Sequence, residues 1–275
     1  KAGWDTHGLP VELEVEKLLG LDGKPQIEKY GIEPFIKECK KSVWKYKTEW
    51  EEMSERVGFW ADMEDPYVTY EDNYIESEWW SLKEIHKKGL LYLGHKIAPY
   101  CPRCGTALSS HEVAQGYKNV KETSAFVRFA VKGEENTYLL AWTTTPWTLP
   151  SNLALCVNPT DLYVKFKAED GKVYIMAKAL IEACFPGQEV EIHEEMPGQA
   201  LCGMHYEPLF DFAKGKVDKD AWFVVADNYV TMTDGTGIVH IAPAFGEDDN
   251  RVCRENGLPF VNFVDNQGCM TEDTK

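Results

Sequence analysis

Residues 141–152 read Ala-Trp-Thr-Thr-Thr-Pro-Trp-Thr-Leu-Pro-Ser-Asn. Thr143, Thr144 and Thr145 set three hydroxyls on consecutive residues, each both a donor and an acceptor. Branching at Cβ stiffens χ1, so each hydroxyl is pre-aimed and each methyl forms a wall. Pro146 and Pro150 stiffen the chain behind them. Taken alone, the cluster also reads as a hydrogen-bonded turn at a strand end.

Three other stretches hold residues able to do chemistry. In Gly-Trp-Asp-Thr-His-Gly-Leu-Pro-Val-Glu, residues 3–12, Asp5 lies on a glycine-bracketed turn before a helix, where a carboxylate can take an ammonium group or simply cap the helix. Residues 100–111, Tyr-Cys-Pro-Arg-Cys-Gly-Thr-Ala-Leu-Ser-Ser-His, put Cys101 and Cys104 on a tight turn of zinc-knuckle spacing, with His111 as the nearest extra donor. A structural zinc takes four ligands, and the chain has no second Cys-x-x-Cys. Residues 235–250 run Gly-Thr-Gly-Ile-Val-His-Ile-Ala-Pro-Ala-Phe-Gly-Glu-Asp-Asp-Asn. There Gly235 and Gly237 permit close backbone approach, a strand carries His240, and Glu247, Asp248 and Asp249 open a helix, where acids also favour the dipole.

The elements that position these groups fall into two textures. The first hundred residues read as helix. Val11, Val15, Leu18 and Leu19 share a face that stops at Gly20. Phe35, Cys39, Val43, Tyr46, Trp50, Met53 and Val57 recur at three- and four-residue steps, as do Ile75, Trp79, Leu82 and Ile85. These are expected to be amphipathic core helices. After Cys104, short apolar or alternating runs separated by turn residues predict a β-rich domain: SAFVRFAV, TYLLAWT, LALCV, LYVKFKA, KVYIMA, QEVEIHE, WFVVAD, GIVHIAP and FVNFV. A barrel is the expected closure, with two short helices near KALIEACF and EDDNRVCREN. The boundary lies near Gln115–Lys121, giving segments 1–115 and 116–275.

Composition narrows the classes. The 275 residues suffice for about two domains, and 44% are hydrophobic, enough for a large core. No apolar run approaches the ~18–20 residues of a membrane span. The opening Lys-Ala-Gly-Trp-Asp shows no signal peptide and no initiator Met, so a piece of a longer cytoplasmic protein is expected. A net charge of −16 argues against nucleic-acid binding by bulk attraction. The excess is uneven: residues 151–275 hold ten Lys/Arg against twenty-one Asp/Glu. Eight cysteines with one Cys-x-x-Cys spacing fit reduced thiols better than a disulfide framework.

In this order, GWDTHGLPVE, YCPRCGTALSSHEVA, TTTPWTLPSN and GTGIVHIAPAFGEDD resemble the isoleucyl-tRNA synthetases, which are class I enzymes. The sister valyl and leucyl enzymes carry Thr-Thr-Arg-Pro where this chain has Thr-Thr-Thr-Pro-Trp. The resemblance implies an α/β and β fold: part of a Rossmann-type catalytic domain with helices over 1–115, including the knuckle at 101–104, then an inserted β-barrel-like editing domain over 116–275, truncated at its end. The family's two nucleotide-binding motifs, the second half of its Rossmann fold, its anticodon-binding helices and its second cysteine pair have no counterpart here. ATP and Mg would serve the parent enzyme, and the chain alone is not expected to aminoacylate.

The resemblance also implies roles. Valine differs from isoleucine by one methylene, which an apolar pocket discriminates only ~10–200-fold, a magnitude known for the isoleucyl enzyme itself and not inferred from this sequence. A second site would therefore hydrolyse valyl-tRNA. Thr143, Thr144 and Thr145 would hold a water against the ester carbonyl, with Trp142 and Trp147 binding substrate. His240 would line the pocket, and Asp249 would take the ammonium, although sequence alone does not choose it over Asp248. Asp5 would bind the amino group of isoleucine in the synthetic site. Cys101 and Cys104 would form half of a zinc site. Expected partners are tRNA(Ile), isoleucine and valine, for a monomer with no membrane contact. The rivals are a non-catalytic tRNA- or zinc-binding module and a valyl or leucyl editing fragment.

Overall fold

The computed structural model describes residues 1–94 and 96–275, which form two compact units. The first comprises Lys1–Lys96 and Tyr100–Ala107; the second comprises Ile97–Pro99 and Leu108–Lys275.

In the first unit, β1 (Gly3–Trp4) and β2 (Tyr67–Val68) pair in parallel. Between them run α1 (Leu9–Leu19), α2 (Lys24–Tyr30), α3 (Ile32–Ser42) and α4 (Lys47–Arg56). After β2 come α5 (Asp72–Lys87) and a small antiparallel hairpin of β3 (Tyr100–Cys101) and β4 (Thr106–Ala107). Helix α1 starts with Pro10 in its first turn and ends at Gly20, whose φ of 68° is the left-handed cap that glycine favours. The predicted apolar faces are only partly covered. Val15 and Phe35 are buried, but Leu18, Trp50, Met53, Val57, Trp79, Leu82 and Ile85 are exposed, and neither α4 nor α5 buries a residue. The periodicity named a face correctly as helical without naming a partner for it. The long apolar run 35–57 also breaks in two, because the chain turns at Val43–Tyr46 and Tyr46 leaves helical geometry at φ −116°, ψ 21°.

The second unit opens with α6 (Ser110–Gln115), closed at its start by a reciprocal capping box between Ser109 and Glu112. A five-stranded sheet follows in the order β10-β8-β9-β6-β5 and a three-stranded one in the order β11-β7-β12. The strands are β5 (Ala125–Ala130), β6 (Thr137–Thr143), β7 (Ala154–Val157), β8 (Leu162–Lys167), β9 (Val173–Ala177), β10 (Glu191–Pro197), β11 (Phe223–Ala226) and β12 (Ile238–Ile241). The short α7 (Ile181–Cys184) lies between β9 and β10, and α8 (Glu247–Glu255) follows β12.

β7 explains its own sequence. Its Leu155 and Val157 join the core shared with Phe129, Leu139, Phe166 and Ile175 of the larger sheet. Its Ala154 and Cys156 join a second core with Val252 and Cys253 of α8. A strand buried on both faces reads as a continuous apolar run rather than an alternating one.

The expected barrel does not form, because the two sheets stay open. Between them, segment 203–207 makes only single-residue bridges, Val131 with Tyr206 and His205 with Phe223. The segment bonds by its backbone to β11, as from the Gly203 N–H to the Val224 carbonyl at 2.8 Å, and to the end of β5, as from the Glu207 N–H to the Ala130 carbonyl at 2.8 Å, without forming a continuous strand ladder with either. The FVNFV run is likewise no strand: it contributes buried Val261 and Phe263 to the second core and one bridge, Val264 to Met270. β10 is an acidic edge, with Glu191, Glu194 and Glu195 exposed and a bulge at His193.

Gly237 has φ 74°, and a Cβ placed on it would stand 2.4 Å from the Ala177 Cβ. Gly257 has φ 68° with nothing within 4 Å. Gly257→Ala should thus cost only the left-handed strain of ~1–2 kcal/mol, and Gly237→Ala a further ~1–3 kcal/mol of overpacking. Urea denaturation of the two variants checks the difference; equal midpoints would contradict the packing described.

Candidate functional site

Most of the sequence-predicted site residues gather where β6 ends and β12 runs alongside it. Thr143 closes β6 and is buried. Its Oγ1 accepts the Thr145 N–H at 3.0 Å and lies 3.4 Å from the Thr145 hydroxyl. Thr144 and Thr145 are exposed. A 3₁₀ turn over Pro146–Ser151 follows, as two prolines in six residues favour. Trp147, half exposed, packs edge-to-face on Phe245 with centroids 4.9 Å apart.

His240 is 7% exposed, and both ring nitrogens are engaged. Nδ1 lies 3.3 Å from Asn152 Nδ2, and Nε2 lies 2.6 Å from Thr148 Oγ1. The tautomer follows from the partners. Asn152 Oδ1 accepts from the Tyr206 hydroxyl at 2.8 Å, so its Nδ2 is the donor that faces the ring and also the Ala154 carbonyl. Nδ1 therefore accepts, Nε2–H donates to Thr148, and the Thr148 hydroxyl donates onward to the Thr145 carbonyl at 2.9 Å. Burial holds His240 down at about 4, so the ring is neutral near pH 7 and has no free nitrogen to act as a base.

Asp249 sits in the first turn of α8, and its Oδ2 accepts the Ala242 N–H at 2.9 Å. The loop 242–246 thus joins the carboxylate to the strand of His240 and, through Phe245, to Trp147. Burial is the main cause that raises Asp249 to about 6, with the Asp248 charge adding to it. Among the described residues no Lys, Arg or His pairs with Asp249. Asp248 differs: its side chain is 57% exposed and its Oδ1 takes Arg251 Nη2 at 3.1 Å. A half-buried carboxylate with no cation of its own is a place for a cation to bind.

Other predicted residues lie elsewhere. Trp142 points to the opposite face of β6 from Thr143 and packs on Gly235, where a Cβ would come within 2.8 Å of its ring. Asp5 is exposed in the first unit, its Oδ1 accepting the His7 N–H at 3.3 Å, and it caps no helix. In the same unit Gly105, at φ 66°, closes the knuckle by donating its N–H to the Cys101 carbonyl at 2.8 Å. His111 belongs to the second unit, on α6. Among the described residues no group of three or more His, Cys, Asp or Glu could hold a metal ion. Cys101 and Cys104 thus stand as a pair of thiols with no third such ligand grouped with them among the described residues.

Thr148, Asn152 and Tyr206 were not singled out from sequence. A signal existed for the first two: polar residues four apart, each two positions after a proline.

The chain belongs to the tRNA synthetases class I (I, L, M and V), whose family model matches residues 1–248. Within that family, it is similar along its length to isoleucine–tRNA ligases. That of Clostridium acetobutylicum is 60% identical over 275 residues, covering 100% of this chain and 26% of the relative. That of Clostridium novyi is 61% identical over 268 residues, covering 98% and 25%. The chain thus spans about a quarter of the length of these curated relatives. Among solved structures, the editing domain of P. knowlesi cytosolic leucyl-tRNA synthetase aligns with TM-score 0.37 and 16% identity, over 49% of this chain and 64% of that one. The likeness carried by the four motifs thus extends over the whole sequence. No helix among the described residues is long and apolar enough to cross a membrane.

Thr148 is 4% exposed. Thr148→Val keeps the shape but orphans the His240 Nε2–H and leaves the Thr145 carbonyl with the residue-148 N–H alone, at 3.1 Å, so it should cost ~1–3 kcal/mol. A lowered urea midpoint at unchanged slope is the expected result; an unchanged midpoint would refute the network.

Proposed function

We propose that the second unit houses an editing site that hydrolyses valyl-tRNA(Ile), within a ligase that joins isoleucine to tRNA(Ile) using ATP and Mg. Asp249 carries the reading. The α-ammonium of an aminoacyl ester is its fixed positive charge, and Asp249 is a half-buried carboxylate lacking a cation, tied by the loop 242–246 to Trp147, which follows the threonine run. With the ammonium on Asp249, the ester carbonyl lies toward Thr143, Thr144 and Thr145, whose hydroxyls position the attacking water. His240 serves as a wall and a brace, because its engaged nitrogens and low proton affinity leave it no free nitrogen to take up a proton. A hydroxyl of the terminal ribose assists the water in place of a Ser/His/Asp relay. Asp5 is proposed to receive the ammonium of isoleucine in the synthetic site, which the first unit contributes as part of a Rossmann-type domain. The proposed domains are 1–115 and 116–275, of a cytoplasmic monomer.

The test is a time course of valyl-tRNA and isoleucyl-tRNA hydrolysis. Asp249→Ala removes a charge-assisted hydrogen bond of ~1.5–3 kcal/mol, so valyl-tRNA hydrolysis should fall by at least about 10–150-fold. Asp248→Ala should leave most of it. A dead Asp248 variant, or two active variants, would show that the ammonium sits elsewhere. No hydrolysis by the unaltered enzyme would favour a module that only docks.

The pH dependence has a definite sign. Asp249 must be ionised to hold an ammonium, and burial raises it to about 6. The rate at limiting valyl-tRNA should therefore fall as pH drops through about 6, more steeply than for Asp249→Asn, which has no carboxyl to titrate there. Parallel profiles would remove Asp249 from the site.

For the knuckle, the two thiolates of Cys101 and Cys104 are proposed to bind zinc weakly in this chain, since the tetrahedron lacks ligands. Metal analysis after dialysis should find little zinc; one tightly held ion per chain would overturn this.

A further inference from the structure

Three acids open α8, yet each stands in a different electrostatic setting. Glu247 is exposed. Asp248 is paired with Arg251, one turn along the same helix. Asp249 is turned inward and has no cation among the described residues. Arg251 is the residue that makes the difference. Its guanidinium grips Asp227 through two bonds, Nη1 to Oδ2 at 2.8 Å and Nη2 to Oδ1 at 3.1 Å. Nη2 also reaches Asp248 at 3.1 Å, and Nη1 reaches Glu255 at 3.2 Å. Asp227 is itself fixed. It follows β11 directly, its N–H donates to the Val157 carbonyl at 2.9 Å, and its Oδ1 accepts the Tyr229 N–H at 3.0 Å. The planar fork suits this double grip in a way that a lysine ammonium cannot match.

We infer that Arg251 is a positioning residue for the ammonium site: by holding Asp227 and Asp248 together it fixes the first turn of α8 against the loop after β11 and removes Asp248 from competition for the substrate's cation. This rests on the editing reading of Asp249. Exposed ion pairs contribute little to stability, and the Arg251 side chain is 37% exposed, so the value of this one lies in which acid it leaves free. Without the guanidinium, Asp248 becomes an unpaired anion next to Asp249. A like charge at that distance disfavours ionisation of its neighbour and offers the ammonium a second, misplaced receptor.

The groups that face Asp249 are Asp248 and the Cys253 thiol on its own helix, the Cys156 thiol from β7 and the Tyr229 hydroxyl from the loop after β11. None carries a positive charge.

The experiment reads Asp249 itself, through the 13C resonance of its carboxyl carbon, assigned by its loss in Asp249→Asn. Arg251→Gln should move its titration midpoint upward by about half a unit to one unit. Adding Asp248→Asn to Arg251→Gln should bring the midpoint back, and Arg251→Lys should move it less than Arg251→Gln does. A merely structural arginine would lower the unfolding midpoint in all these variants alike and would not be rescued by Asp248→Asn. In the hydrolysis assay Arg251→Gln should raise KM for valyl-tRNA several-fold more than it lowers kcat. A midpoint that stays put in Arg251→Gln, or moves without rescue, overturns the inference. An active Asp249→Ala enzyme would instead sink the editing reading and leave the titration result standing by itself.

Discussion

An imidazole shut away from water must have both nitrogens answered, and His240 meets that demand in a way that organises everything around it. Asn152 answers one side and Thr148 the other. Because Asn152 Nδ2 must donate to the Ala154 carbonyl, which only accepts, the amide cannot flip, and the proton of the ring is assigned. That assignment propagates outward: Thr148 must turn its own hydrogen to the Thr145 carbonyl, which pins the exit of the threonine run. The backbone of Asn152 also takes the Trp222 indole N–H at 3.1 Å, tying the same turn to the start of β11. A single buried ring therefore couples the end of β6, the 3₁₀ turn, β12 and β11. Its neutrality is a condition of the arrangement, since a protonated ring would present a donor to Asn152 Nδ2, which is already one.

The sheet that carries His240 is covered on both sides, by the larger sheet on one face and by α8 on the other. This double burial makes the corner rigid, and α8 delivers Asp249 from a different direction than β6 delivers the threonines. The first unit lacks such cover. Its interior is Ala2, Val15, Phe35 and Val68 with the buried Thr6 and Glu16, and the Glu16 carboxylate takes the Gly23 N–H and Arg103 and is held below its ordinary range by those contacts. The two units thus differ in how much of their apolar surface is satisfied within the described residues.

Much of this was legible in the sequence. β5 to β9, β11 and β12 fall on their predicted apolar runs, because a strand buried on one or both faces must be written in apolar residues. The cap at Gly20 and the start of α8 were readable from residue type alone. Other features were not, for identifiable reasons. The break between α3 and α4 has no Pro or Gly to announce it; Val43 to Tyr46 keep an apolar spacing through a turn. Trp142 and Thr143 are neighbours in sequence but face opposite ways, since adjacent strand residues alternate. Closure of the sheets depended on segment 203–207, where only the tertiary fold shows that its backbone bonds to β11 and β5 never extend into a strand ladder. Asp249 and Asp248 are chemically identical in sequence; Arg251, three residues beyond one of them, separates them, and its second partner Asp227 is 24 positions back along the chain.

The bulged edge strand β10 has a colloidal meaning. A sheet edge offers unpaired backbone groups to any passing strand, and two copies meeting edge to edge would do so antiparallel. At β10 that meeting would set Glu191, Glu194 and Glu195 of one copy against the same acids of the other, while the bulge at His193 spoils the ladder's register. Concentrating the protein thus brings repulsion at this edge of the five-stranded sheet, and salt screens it.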